Sequence, residues 1–175
     1  MLEDQIIKYV VYLVVASILT IFIRTAFSTS KKKTITGKPS FVIDGDTIIM
    51  KENGQEERVR LLYIDAPERG QMTNNCQHPA GTNATKALKI MINDQEITAF
   101  CNGKDRYTRN LGVIKRGKFN LNLEMLREGY ARVDRDAPLK YKLAYYKARI
   151  LRKGLWRCGG FSPPNQYRAN KKKMC

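Results

Sequence analysis

The chain has 175 residues, a length that suggests one domain with appendages. Its 32 Lys and Arg outnumber 16 Asp and Glu, for a formal charge of +16, and from Ala137 to Cys175 there are eleven Lys or Arg and no Asp or Glu. That imbalance points to a polyanionic partner, either nucleic acid or an anionic membrane surface, while one histidine and four cysteines without a C-x-x-C pair argue against a zinc site. The first predicted element is apolar. Tyr9–Ile23 is a run of 15 residues without a charge, and residues 6–27 are interrupted only by Lys8 and Arg24. About 20 mostly apolar residues suffice to span a bilayer. The expectation is therefore a single-pass membrane anchor over residues 1–30. The alternative is a signal segment that is cleaved, leaving the domain exported. A basic tether follows over residues 31–39, ahead of a domain at 40–157 and a Pro/aromatic, basic tail at 158–175.

Within the domain, Phe41–Lys51 and Glu57–Ile64 read as strands joined by a turn at Asn53-Gly54, a hairpin signal. Gly45, between Asp44 and Asp46, suggests a bulge. Residues 70–81 form a polar loop. A helix capped at Thr82 or Asn83 runs to about Asn93, with Ala84, Ala87, Leu88, Met91 and Ile92 at helical spacing. Two more strands, Glu96–Cys101 and Asn110–Lys115, flank D-R-Y-T-R. Asn120 caps a short helix that ends at Gly129. Pro138 opens a third, whose apolar stripe is Leu139, Leu143, Tyr146 and Ile150. Pro163 and Pro164 point to an extended tail. The cysteines Cys76, Cys101, Cys158 and Cys175 allow three full pairings, and the residues leave open one disulfide or four reduced thiols.

The chemistry gathers between Phe41 and Glu68. Asp44, Asp46, Asp65 and Glu68 fall at strand ends, and Arg60 opens the second apolar run. Oxygen ligands suit Ca²⁺ or Mg²⁺, and a guanidinium fork matches two phosphate oxygens. Each residue alone also has an ordinary reading: an Asp-Gly turn, a solvated strand arginine, a surface glutamate after Pro67. Together, D-G-D-T, then R-L-L-Y-I-D-A-P-E, then D-R-Y-T-R resemble the thermonuclease family, typified by staphylococcal nuclease, from about Ser40 to Trp156.

That resemblance implies an α+β, mainly β fold: a five-stranded OB-type barrel with three helices, here preceded by one transmembrane helix. It implies a Ca²⁺-dependent endonuclease for DNA and RNA with low sequence specificity, whose products end in 3′-phosphates. Asp46, Asp65 and the main-chain carbonyl of Ala66 match the metal ligands. Glu68 matches the general base, and Arg60 and Arg109 match the phosphate-clamping arginines. Asp44 and Thr47 match the residues that support the ligands, and Arg106 and Tyr107 match contacts to a terminal phosphate. The tyrosines that touch the substrate base in the family's type member have no counterpart; Tyr130 and Tyr141 are the nearest. The expected partners are DNA, RNA and, through residues 6–27, a membrane; the expected state is a monomer with no small-molecule cofactor. The competing class is an OB-type binding module, tethered to a membrane, that has lost catalysis. It would be marked by loss of these carboxylates and arginines, which are all present.

Overall fold

Residues 5, 8–17 and 32–174 are described by the computed structural model. Its two compact units meet in sequence at Lys31 and Lys32. In the first unit, residues 8–17 are helical (α1) and expose their apolar side chains, including Tyr9 and Leu13. Among the described residues, no helix is long and apolar enough to cross a membrane. Ten helical residues rise only about 15 Å, half of a hydrocarbon core. The expectation of a single-pass membrane protein is thereby corrected; the rest of the 6–27 segment lies outside the described residues.

The second unit opens with a strand where a tether was expected. In β1 (Lys32–Gly37), Ile35 is buried and flanked by Thr34 and Thr36, which suit a half-buried edge. The expected first long strand is divided into β2 (Phe41–Val42) and β3 (Thr47–Glu52). No bulge interrupts their pairing. The N–H groups of Ile43 and Asp44 both donate to the Thr47 carbonyl, closing a turn. Asn53 and Gly54, both at positive φ, lead into β4 (Gln55–Leu61), as the turn chemistry requires. In the β3–β4 pairing, Thr47 lies opposite Arg60. The second expected strand breaks too: Tyr63 adopts φ 70° and β5 (Ile64–Asp65) leaves the main sheet. Helix α2 (Ala80–Ile92) buries Ala84 and Leu88. Strands β6 (Ile97–Lys104), β7 (Asn110–Arg116) and β8 (Phe119–Asn120) follow. Next come α3 (Leu121–Arg127), β9 (Arg132–Val133), α4 (Leu139–Ile150), a 3-10 turn at Gly154–Cys158 and α5 (Pro164–Met174).

The main sheet runs β1-β6-β7-β4-β3-β2, with β8 on β7, and β5 pairs only with β9. The β4–β7 pairing is parallel and the others are antiparallel, so the sheet is mixed. The α+β class expected for an OB-type fold stands, but the strands do not close into a five-stranded barrel: the hydrogen-bonded path has free ends at β1 and β2. Its inner face packs Ile48, Met50, Val59, Leu61 and Ile114 against α2 and α3. Each such side chain contributes about 1.5–3 kcal/mol by leaving water.

Two helix readings change. Helix α4 turns Tyr141, Tyr145 and Ala148 inward, and leaves Leu139, Leu143, Tyr146 and Ile150 at 54–81 % exposure. Both sets share a helical period, and the tyrosine rings bury more area. The tail is helical from Pro164, because a proline at the first helical position has no N–H to leave unpaired. Cys76 and Cys158 form a disulfide, with Cα atoms 5.2 Å apart, and Cys101 is a buried free thiol.

Asn122 ties the site's scaffold together. It is fully buried, its Oδ1 accepts from the Ile114 N–H at 2.9 Å, and its Nδ2 donates to the carbonyls of Leu62 (2.9 Å) and Gly112 (3.0 Å). One side chain thus joins α3, β7 and the turn that delivers β5.

Candidate active site

The strand breaks deliver the acidic residues to one place. Asp44 and Asp46 come from the β2–β3 turn, Arg58 and Arg60 from β4, and Ala66 to Glu68 from the segment after β5. The β6–β7 turn adds Asp105, Arg106, Tyr107 and Arg109, and α5 adds Arg168. Together they line an open cleft of about 710 Å³.

Asp46 is the most enclosed of these, at 3 % exposure. Its Oδ1 accepts from the Arg60 guanidinium at 2.5 Å and from the Thr47 hydroxyl at 2.9 Å; its Oδ2 accepts from the Ala66 N–H at 2.8 Å. Gly45 makes this approach possible. A Cβ there would lie 2.7 Å from the Cβ atoms of both Ala66 and Ala84. Arg60 reaches past Asp46 to Asp65, donating to its Oδ1 at 2.9 Å. Burial alone would favour neutral Arg60, but the charges of Asp46 and Asp65 outweigh it and hold the guanidinium charged.

One arginine does not balance the carboxylates around it. Burial, reinforced by the charge of Asp46, pushes the Asp44 carboxyl up to about 7. The same two causes raise Asp65. Asp134, next after β9, is pushed up to about 6 by burial and by Asp65. Hard oxygen donors carrying an uncompensated negative charge fit a hard divalent cation. Among the described residues, no three His, Cys, Asp or Glu side chains converge on a metal position. A cation here would therefore rest on two carboxylates, a carbonyl and water. Ala66, whose N–H is already given to Asp46, lines the cleft beside them.

The same cleft takes in the D-R-Y-T-R turn. Asp105 accepts from the backbone N–H groups of Tyr107 (2.8 Å) and Arg109 (3.0 Å), a local turn closed by its side chain. Its other oxygen accepts from Arg109 Nε at 2.8 Å. Burial raises the Asp105 carboxyl, but the bonds from Arg109 outweigh it and hold it below the usual range. Arg109 is thus aimed by its own turn. Arg106 and Arg109 both lie over the exposed Tyr107 ring, at 4.8 and 5.5 Å from its centre.

Glu68 follows Pro67, and its N–H donates to Gln71 Oε1 at 3.1 Å. Its carbonyl lies so close to Gly81 that a Cβ at Gly81 would overlap it, which fixes the Glu68 backbone against the start of α2. Its carboxylate pairs with Arg168.

The cleft therefore gathers Asp44, Asp46, Arg60, Ala66, Glu68, Arg106, Tyr107 and Arg109. Asp65 joins through Arg60, and Thr47 lies behind Asp46. Tyr141 is not among them: it is buried, and its hydroxyl accepts from Asn120 at 2.9 Å. Sequence reading missed Arg58, Asp105 and Arg168. Asp105 had a legible signal, an aspartate two and four residues ahead of the N–H groups it caps. Arg168 had none.

Residues 58–158 match the family model described as staphylococcal nuclease homologue. An uncharacterized endonuclease of Haemophilus influenzae is 32 % identical over 165 residues, covering 91 % of this chain and 86 % of that protein. The thermonuclease of Staphylococcus intermedius is 35 % identical over 111 residues, covering 62 % of this chain and 66 % of its own. A micrococcal nuclease of Shigella flexneri is 33 % identical over 128 residues, covering 66 % and 70 %. The matched span takes in β4 with Arg60, the Asp65-to-Glu68 segment and the Arg109 turn, and the chain belongs to the staphylococcal nuclease homologue family.

Proposed function

We propose that the protein is a nuclease that hydrolyses phosphodiester bonds of DNA and RNA with little sequence preference and depends on Ca²⁺. The observation that carries this reading is the cleft that gathers buried Asp46 with Glu68 and Arg109, Arg60 bridging Asp46 to the half-buried Asp65 behind it. Family membership and the relatives named as nucleases support it. Asp46, Asp65 and the Ala66 carbonyl are the groups that would hold Ca²⁺, which when bound screens the phosphate's charge and orders water beside it. Arg60 and Arg109 grip the phosphoryl oxygens, and their donors match the charge that builds there in the transition state. Glu68 accepts the proton of the water that attacks phosphorus in line with the leaving oxygen. Asp44 and Thr47 hold Asp46 in place, through the Asp46 N–H to Asp44 Oδ1 bond at 3.0 Å and the Thr47 hydroxyl. Arg106 and Tyr107 flank the Arg109 side and meet a terminal phosphate. Phosphate contacts of this kind carry no sequence information.

The test is cleavage of labelled single-stranded DNA, duplex DNA and RNA by the full-length protein. Activity with Ca²⁺, its loss in EGTA and its return with excess Ca²⁺ are expected. Asp46→Asn should lose at least about 100-fold in turnover, because it removes both a ligand and the anchor of Arg60. Equal cleavage in EGTA would contradict the metal assignment.

A further inference from the structure

Arg168 reaches the cleft from α5, beyond the 58–158 span that the family model matches. The placement of α5 is built by several independent contacts. Gln71, buried at the end of the Glu68 turn, donates through Nε2 to the Ser162 carbonyl at 2.7 Å and to its hydroxyl at 3.0 Å. Buried Phe161 stacks on Trp156, and its carbonyl accepts from Arg132 at 2.9 Å. The Asn74 N–H donates to the Gly160 carbonyl and the Asn75 N–H to that of Cys158, beside the Cys76–Cys158 disulfide. The loop that begins at Glu68 and the segment that leads into α5 are therefore fastened along their length.

From this base Arg168 extends its guanidinium to the Glu68 carboxylate, with 55 % of its side chain exposed. Lys171 and Lys172 lie three and four residues on, on the same side of the helix, and are exposed. An exposed Arg–carboxylate pair is weak and is readily exchanged. A phosphodiester offers the same fork a competing pair of oxygens. Arg168 also adds to Arg58, Arg60, Arg106 and Arg109, so a backbone entering the cleft meets five arginines that share its lining with Glu68.

We propose that α5 is a second wall of the substrate cleft, and that Arg168 contacts a backbone phosphate flanking the scissile one, leaving Glu68 for that phosphate as a polynucleotide strand binds. The inference rests on the nuclease reading for its substrate class. It makes Arg168 a residue that sets preference for length. A strand long enough to reach α5 draws Arg168 away and frees the Glu68 carboxylate; a dinucleotide does not.

The experiment compares full-length wild type, Arg168→Ala and Arg168→Lys. Binding of a fluorescent 20-nucleotide single strand is followed by anisotropy in EGTA between about 50 and 200 mM salt. At about 100 mM salt, Arg168→Ala should bind about fivefold more weakly, and the slope of log K against log salt should shrink by about 0.7, the share of one single-strand phosphate contact. Arg168→Lys should restore part of the affinity and the slope. With Ca²⁺, KM for the 20-mer should rise by a similar factor in Arg168→Ala, while kcat/KM for a dinucleotide does not fall. Unchanged affinity and slope in Arg168→Ala, with only a lowered melting temperature, would overturn the proposal and leave Arg168 as a tie for the tail. Wild type that binds but does not cleave would instead sink the nuclease reading and leave the Arg168 contact standing.

Discussion

At the scale of single residues, the site is an acidic cluster that one arginine only partly neutralises, and this has a measurable consequence. Asp44 and Asp134 carry folded-state pKa values raised to about 7 and about 6, above the ordinary 3.8. Through these two carboxyls the folded chain holds protons that the unfolded one has lost between about pH 4 and 7, so their contribution to stability in EGTA should fall as pH rises through that window. Asp44→Asn keeps an oxygen to accept from the Asp46 N–H but carries no charge. It should melt higher than wild type at neutral pH in EGTA and show a flatter profile, as thermal melts from pH 4 to 8 would reveal. Saturating Ca²⁺ should raise the melting temperature most where the profile is lowest. A second residue-scale expectation concerns Asp105, which aims Arg109 through two contacts. Asp105→Asn should lower kcat for DNA about tenfold with the fold intact by circular dichroism, because it weakens a charged hold on the arginine proposed to grip the phosphate. Asp46, Asp65, Glu68, Arg60 and Arg109 were legible because each sits in a short contiguous motif. Asp134 was not: it follows β9 directly, and β9 is brought to Asp65 by the β5–β9 pairing, which no local pattern announces.

At the scale of elements, interruptions place the chemistry. A continuous strand across residues 41–51 would leave no turn for Asp44 and Asp46, and one across 57–64 would carry Asp65 away from Arg60. The alternation of apolar residues shows the strands, but the breaks are tertiary: Gly45 yields to Ala66 and Ala84, and Tyr63 turns to let β5 meet β9. Asn122 fastens the second break. Asn122→Ala should destabilise the domain by about 2–4 kcal/mol, because it removes the acceptor of the buried Ile114 N–H and one bond from each of the Leu62 and Gly112 carbonyls. Urea denaturation would measure this; a loss below about 0.5 kcal/mol would show that the three contacts are dispensable. The helices were legible in position and less so in orientation. Periodicity admits both faces of α4, and only packing chooses Tyr141 and Tyr145 over Leu143 and Ile150. The Thr34-Ile35-Thr36 strand was hidden within a lysine-rich stretch whose composition reads as linker.

At the scale of the whole molecule, the formal charge of +16 and the cleft's five arginines serve the same end, attraction to a phosphate backbone. Affinity for any nucleic acid should accordingly fall steeply with salt and vary little with sequence. The basic tail, which composition shows only as charge, is folded back onto the Glu68 loop by the Cys76–Cys158 disulfide and the Gln71–Ser162 bonds. Glu68 is the residue proposed to act as the base within this cleft. Its most direct test is single-turnover cleavage of a labelled DNA strand by full-length Glu68→Gln in saturating Ca²⁺, beside wild type. A loss of at least about 100-fold in the cleavage rate is expected, with DNA bound at least as tightly and an unchanged melting profile. Cleavage within about threefold of wild type would contradict it.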